Sequence, residues 1–129
     1  MKSRSILVVD DEDSIRRVLV RILEPTGAHV VCAGNGLEAL RAIEKEPFDL
    51  VITDVLMPEM DGIELIPLIK KRRPGVYILA MSGGGHNFMG EYCTKLATTL
   101  GADAVIMKPF TLGEVQESLS KVFPPETGA

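Results

Sequence analysis

Residues that can do chemistry stand directly after four of the apolar runs in this sequence. They are an acidic pair, a lone carboxylate, a hydroxyl and an ammonium: Asp10–Asp11, Asp54, Ser82 and Lys108. A charge at the exit of an apolar strand needs a partner, because burying it unpaired is costly. Three converging carboxylates would repel one another and raise at least one pKa, and a divalent cation such as Mg²⁺ relieves that conflict. With an ammonium and a hydroxyl nearby, the set suits acceptance of a phosphoryl group, whose transition state is stabilised mainly by positioned charge.

These side chains can meet only if the apolar runs are strands of one sheet. We predict strands over residues 6–9, 30–33, 50–54, 76–81 and 104–107. Their continuous apolar character indicates strands that are covered on both faces. Each strand is followed by apolar residues at helical spacing, which predicts five helices. Alternating strands and helices predict an α/β fold with a doubly wound, five-stranded parallel sheet.

One predicted strand lacks a chemical residue at its end, and the strand order has to account for it. The second strand ends at Ala33–Gly34, which suits an edge position away from a site. We therefore predict the order 2-1-3-4-5, in which strands one and three flank the crevice where such folds bind ligands.

Several residues have the type and place of helix ends. Asp13 and Asn35 are candidate N-caps of the first two helices, and Thr111 with Glu114 has capping-box spacing for the last. The basic run 70–73 suits the negative end of the third helix dipole better than a nucleic-acid site.

The composition excludes several classes of protein. A chain of 129 residues with 46% hydrophobic and 25% charged residues is long enough for one domain with a substantial core. Its net charge of −4 argues against nucleic-acid binding. No apolar run has membrane-spanning length, and the start lacks a secretory signal. Cys32 and Cys93 lack metal-ligand spacing, so we expect reduced thiols in a cytoplasmic protein.

Three motifs, each at a strand end, together resemble the receiver domain of bacterial two-component response regulators. They are Val9-Asp10-Asp11, the stretch from Asp54 through Met57-Pro58 to Asp61-Gly62, and Lys108-Pro109-Phe110. The resemblance covers about residues 4 to 123, and it implies the flavodoxin-like receiver fold. We expect residues 1–123 to be the receiver domain and residues 124–129 to be a tail or the start of a linker.

The resemblance also implies a role for each site residue. Asp54 would be phosphorylated by a histidine kinase, and Lys108 and the Ser82 hydroxyl would contact the phosphoryl group. Asp11 and Asp54 would ligate Mg²⁺, with Asp10 helping through water and the backbone carbonyl of Leu56 as a further ligand. The Lys108–Pro109 bond would be cis.

The implied function is a signalling switch that catalyses only its own phosphorylation and hydrolysis. Its partners would be a sensor histidine kinase or phosphotransfer protein and a downstream output domain or protein. They would be met through the face formed by helix four, strand five and helix five, which can also form a homodimer. A receiver-like interaction module that works without phosphate is the alternative. A phosphatase with an aspartate nucleophile fits less well, because such enzymes want a second acid where Leu56 stands.

Three departures from the family pattern bear on the switch. Val105 stands where the family usually has an aromatic ring that turns inward, so we expect a muted or different switch. Gly83 stands where the family favours alanine, and the loop at 83–90 carries extra residues. Leu56 and Gly84 occupy positions that tune hydrolysis, and neither can orient water, so we expect slow autodephosphorylation.

Overall fold

The computed structural model describes residues 4–55, 60–83 and 95–122 of the chain. Five parallel strands form one sheet in the order β2-β1-β3-β4-β5, so the predicted fold class and strand order are confirmed. The strands are β1 (Ser5–Val9), β2 (His29–Ala33), β3 (Leu50–Asp54), β4 (Tyr77–Ser82) and β5 (Ala104–Met107).

The helices alternate with these strands. They are α1 (Asp13–Leu23), α2 (Gly36–Lys45), α3 (Gly62–Arg72), the helical residues 95–100, labelled α4, and α5 (Leu112–Val122). A short 3₁₀ turn, Glu24–Thr26, follows α1 and ends at Gly27, whose φ of 88° lies in the left-handed region. Within the described ranges, every helix is too short or too polar to traverse a lipid bilayer.

The core has two halves because successive strand residues point to opposite faces of the sheet. Leu7 and Val51 pack on one side with residues of α2 and α3, such as Ile43 and Ile66. The opposite half lies against α1 and α5, and it includes Ile6, Val8, Ile52, Leu19 and Val115. Burying each large aliphatic side chain contributes about 1.5–3 kcal/mol, so the sheet is a rigid support for the residues at its carboxyl edge.

The register of the strands sets which residues share that edge. Val9 pairs with Thr53, so Asp10 and Asp54 follow at the same height on neighbouring strands. Ser82 pairs with Met107, so Lys108 follows one residue later on the adjacent strand. Parallel pairing therefore brings residues distant in sequence to a single edge of the sheet.

Two of the predicted helix starts are confirmed and one is wrong. Asn35 Oδ1 accepts the amide N–H of Glu38 at 2.9 Å, and Thr111 and Glu114 bond each other reciprocally at 3.1 Å. Asp13, however, is the first residue of α1 and not its cap. Its carboxylate pairs instead with two arginines one turn later, Arg16 and Arg17, so it lies on the helix surface.

Two glycines admit close backbone contacts at the starts of α2 and α3. The Gly36 N–H donates to the carbonyl of Met60 at 3.1 Å, and the Gly62 N–H donates to the carbonyl of Val55 at 2.9 Å. A Cβ on Gly36 would lie 2.4 Å from the Met60 oxygen, and one on Gly62 would lie 2.5 Å from the Asp54 oxygen. Both positions therefore exclude a side chain.

Gly36→Ala tests this close approach. Alanine favours the helix, yet we expect the free energy of unfolding to fall by about 2 kcal/mol, because the new methyl group forces Met60 away. Urea unfolding measures the change. Gly75→Ala is the matched control, since a Cβ there meets nothing within 4 Å. Equal stability of the two variants would contradict the contact.

Candidate functional site

The chemical residues of the site lie at the carboxyl edge of the sheet. Asp10 directly follows β1, Asp54 is the last residue of β3, and Lys108 directly follows β5. Asp10 extends the pairing with β2, because its N–H donates to the carbonyl of Ala33 at 3.1 Å. The Lys108 N–H donates to the carbonyl of Ser82 at 2.8 Å, which ties the lysine to the end of β4.

The Lys108 ammonium bridges two buried carboxylates. Its Nζ lies 2.7 Å from Asp10 Oδ2 and 3.1 Å from Asp54 Oδ2, and it is 3.8 Å from Glu12 Oε1. Asp10 is fully buried and Asp54 is 7% exposed, so both carboxylates have little contact with water. An unpaired charge in such a place is costly, and the ammonium supplies the compensation.

Burial and the neighbouring carboxylates act in opposite directions on the pKa of Lys108. Burial is the largest single influence and lowers the pKa, because the charged form loses hydration. The hydrogen bonds to Asp10 and Asp54 and the charges of both carboxylates act in the opposite direction. Together they raise the pKa above its ordinary value, so Lys108 is a cation at neutral pH.

Three carboxylates form a compact group beside this lysine. One ligand oxygen from each of Asp10, Asp11 and Asp54 lies within 4.8 Å of the others, and Asp11 is the exposed member. Clustered oxygen donors with one solvent-facing side suit a hard divalent cation, since Mg²⁺ takes few carboxylates and keeps several waters. The donor set therefore fits the expected Mg²⁺. Its three carboxylates carry more negative charge than the Lys108 ammonium alone balances.

Of the two other predicted site residues, the structure describes Ser82 but not Leu56. Ser82 ends β4 and is fully buried, and its hydroxyl donates to the carbonyl of Gly83 at 3.4 Å. Leu56, whose carbonyl is the expected metal ligand, lies outside the described residues, as do Gly84 and Cys93. Cys32 is a free, exposed thiol on β2. The Lys108–Pro109 bond is cis, as expected.

Sequence reasoning missed two residues that contact the site. Glu12 places a carboxylate near Lys108, and its N–H donates to Asp10 Oδ1 at 2.9 Å. Arg16 donates through Nη1 to the main-chain carbonyl of Asp10 at 2.6 Å. An acidic residue in a turn and an arginine on a helix carry no sequence signal for such contacts.

Comparisons with known proteins agree with this geometry. The family model described as the response regulator receiver domain matches residues 6–120. The chain is 36% identical over 120 residues to the alkaline phosphatase synthesis transcriptional regulatory protein PhoP of Bacillus subtilis, covering 93% of this chain and 48% of PhoP. It is 33% identical to the sporulation initiation phosphotransferase F of the same organism, covering 96% and 97% of the two chains. The chain thus spans about half the length of one relative and nearly all of the other.

A solved structure shows the same arrangement of the chain. The chemotaxis response regulator CheY4 of Vibrio cholerae superposes with a TM-score of 0.83 at 28% identity, covering 94% of this chain and 99% of that one.

Lys108→Met tests the charge balance of the site in the absence of divalent cations. We expect the free energy of unfolding at pH 7 to fall by about 3 kcal/mol, because two buried carboxylates lose their cation. Because the pKa of Lys108 is higher in the folded than in the unfolded protein, its ion pairs stabilise the fold fully below the unfolded pKa of about 10.4. This stabilisation is lost as the pH rises through the folded pKa. The gap between wild type and variant therefore narrows above about pH 10.4.

Urea unfolding at neutral and alkaline pH measures both effects. Lys71→Met is the matched control, because Lys71 is exposed at the end of α3. If Lys108→Met and Lys71→Met have the same stability at pH 7, the ion pairs do not contribute as argued.

Proposed function

The chain belongs to the response regulator receiver domain family of two-component systems, and we propose that Asp54 accepts a phosphoryl group from a histidine kinase or a phosphotransfer protein. The observation that carries the proposal is the distance of 3.1 Å between Lys108 Nζ and Asp54 Oδ2. Asp54 ends a buried strand, and its neighbours are two more carboxylates and one cation. A carboxylate held beside a cation can act as a nucleophile while the cation stabilises the negative charge of the arriving group.

The proposed transfer exchanges one bond to phosphorus for another. A carboxylate oxygen of Asp54 attacks the phosphorus of a phosphohistidine, and a P–O bond forms while the P–N bond breaks. The imidazole nitrogen leaves with the bonding electron pair and takes a proton from solvent. The product on this chain is an acyl phosphate, whose bond can later be hydrolysed.

The remaining site residues have distinct roles in this proposal. Asp10, Asp11 and Asp54, with the backbone carbonyl of Leu56, would hold Mg²⁺. When bound, this ion offsets the negative charge that the phosphoryl oxygens bring into an already acidic site.

Lys108 would move its hydrogen bonds from Asp54 to a phosphoryl oxygen, with Asp10 keeping the ammonium in place at 2.7 Å. The Ser82 hydroxyl, buried at the end of β4, would rotate to donate to another oxygen. Burial strengthens each of these electrostatic contacts, because little water remains to screen them.

The output of the switch is proposed to lie on the face formed by α4, β5 and α5. Its partners would be a downstream output domain or protein, and the same face could form a homodimer. The protein would work in the cytoplasm.

The receiver unit would span residues 1–123, and residues 124–129 would be a tail or linker. Relatives support both a tail and a linker. PhoP, a transcriptional regulatory protein, is about twice as long as this chain, whereas phosphotransferase F is about as short as this chain.

A second candidate function is a receiver-like interaction module that works without phosphate. Val105 favours it, because this half-buried side chain packs against the cluster of Ile66 and Ile69 and has no ring to reorient. The acidic group and its lysine favour the phosphorylated switch instead.

Phosphorylation of Asp54 is tested with a small phosphodonor and Mg²⁺. We expect intact-protein mass spectrometry to show the addition of one phosphoryl group to wild type and none to Asp54→Asn, because the amide is not a nucleophile. Asp49→Asn is the control, since Asp49 lies at the opposite edge of the sheet and asparagine can still accept from the Ser5 N–H. A wild-type protein that gains no phosphoryl group would favour the phosphate-independent module.

The lifetime of the phosphorylated form tests the expected slow hydrolysis. After removal of the donor, we expect the phosphoryl group to persist for minutes or longer, because the side chain of Leu56 cannot orient water. Leu56→Gln should shorten the lifetime by supplying an amide, whereas Leu56→Met should leave it unchanged. Loss from wild type within seconds would contradict the prediction.

A further inference from the structure

Arg16 reaches from α1 to the backbone of the acidic turn. Its Nη1 donates to the main-chain carbonyl of Asp10 at 2.6 Å, and its Nη2 donates to Asp13 Oδ1 at 3.2 Å. The side chain is only 22% exposed, although it belongs to an arginine on a surface helix. The planar fork of the guanidinium can hold a carbonyl and a carboxylate at once, and both bonds are charge-assisted.

The Asp10 carbonyl belongs to the peptide plane that leads into Asp11. Because the peptide bond is planar, fixing this oxygen also fixes the N–H and Cα of Asp11. Asp10 is otherwise held at its N–H by Ala33 and at its carboxylate by Glu12 and Lys108. Within the described residues, no hydrogen bond or ion pair holds the carboxylate of Asp11, so its direction depends on its backbone.

We infer that Arg16 is a positioning residue for the acidic site: its guanidinium locks the Asp10–Asp11 peptide and so aims the Asp11 carboxylate at the cation position. The inference rests on the proposed function, because the cation is the Mg²⁺ of the phosphoryl-transfer site. Arg16 contacts the Asp10 carbonyl, and a guanidinium cation cannot ligate a metal ion, so Arg16 acts through Asp11 and is not itself a ligand.

Arg17 provides a comparison within the same helix. Its Nε lies 2.9 Å from Asp13 Oδ2, so it makes the same kind of helical ion pair as Arg16. Its side chain is 74% exposed. If Arg16 only stabilised α1 through Asp13, the loss of either arginine would have a similar, small effect.

The test compares Arg16→Met, which keeps the apolar stem, with Arg17→Met as the matched control and Arg16→Lys as the conservative variant. Isothermal titration measures Mg²⁺ affinity. Hydrogen exchange of the Glu12 amide in metal-free protein measures the order of the turn, because this N–H donates to Asp10 Oδ1. Thermal unfolding confirms that each variant is folded.

We expect Arg16→Met to weaken Mg²⁺ binding about ten-fold, the usual size of an indirect effect on a ligand. The Glu12 amide should also exchange faster in this variant. Arg17→Met should match wild type in both measurements. Arg16→Lys should be intermediate, since an ammonium can keep one of the two contacts but lacks the fork.

Equal Mg²⁺ affinity and equal Glu12 exchange in Arg16→Met and Arg17→Met would overturn the inference. If Arg16→Met does not fold, Arg16→Lys decides in its place, and wild-type values in both measurements would overturn it. If wild type itself binds no Mg²⁺, the proposed function fails, while the Glu12 exchange still reports whether Arg16 orders the turn.

Discussion

The electrostatic conflict at the carboxyl edge of the sheet is the constraint on which the rest of the structure depends. Asp10 and Asp54 are buried near each other, the Lys108 ammonium bonds to both, and Asp11 and Glu12 add negative charge at the rim. A fold that gathers carboxylates in this way gives up stability that apolar residues would supply. A site with more negative charge than its lysine balances attracts a cation, and under the proposed function that cation would offset the charge of an incoming phosphoryl group.

A rigid sheet is what keeps that conflict from relaxing. β1 and β3 are buried on both faces, and the pairing of Val9 with Thr53 places the two aspartates at one height. Separation of the carboxylates would break strand pairing and expose the aliphatic core, which costs more than the repulsion. The apolar layers on the two sides of the sheet therefore hold the polar residues at its edge.

The segments that flank the strand ends refine this arrangement. The backbone of Asp54 and Val55 meets the start of α3 at Gly62, and Met60, which precedes α3, meets the start of α2 at Gly36. On the other side of the site, Arg16 and Lys108 hold Asp10 from its backbone and its side chain. The residues of the site thus have supports from the starts of three helices, α1, α2 and α3.

Local patterns in the sequence were sufficient for the architecture. Uninterrupted apolar runs with helical spacing between them predict a parallel sheet, and the polar residue at the end of each central strand predicts which edge carries the site. The caps at Asn35 and Thr111 were also predictable, because they involve residues within one helical turn. Asp13 is not a cap, since its carboxylate pairs with Arg16 and Arg17. Those ion pairs compete with capping and span the same short distance along the chain.

The sequence by itself determined the residue types at the strand ends and, through them, the family and the chemistry that we propose. Only the tertiary structure decided how those residues are paired: that Lys108 bridges Asp10 and Asp54, that Arg16 binds a backbone carbonyl, and that Gly36 admits Met60. These contacts join residues from separate elements, and their geometry depends on strand register and helix packing. No local pattern encodes them, because the distance between two side chains in a fold is set by everything packed between their backbones.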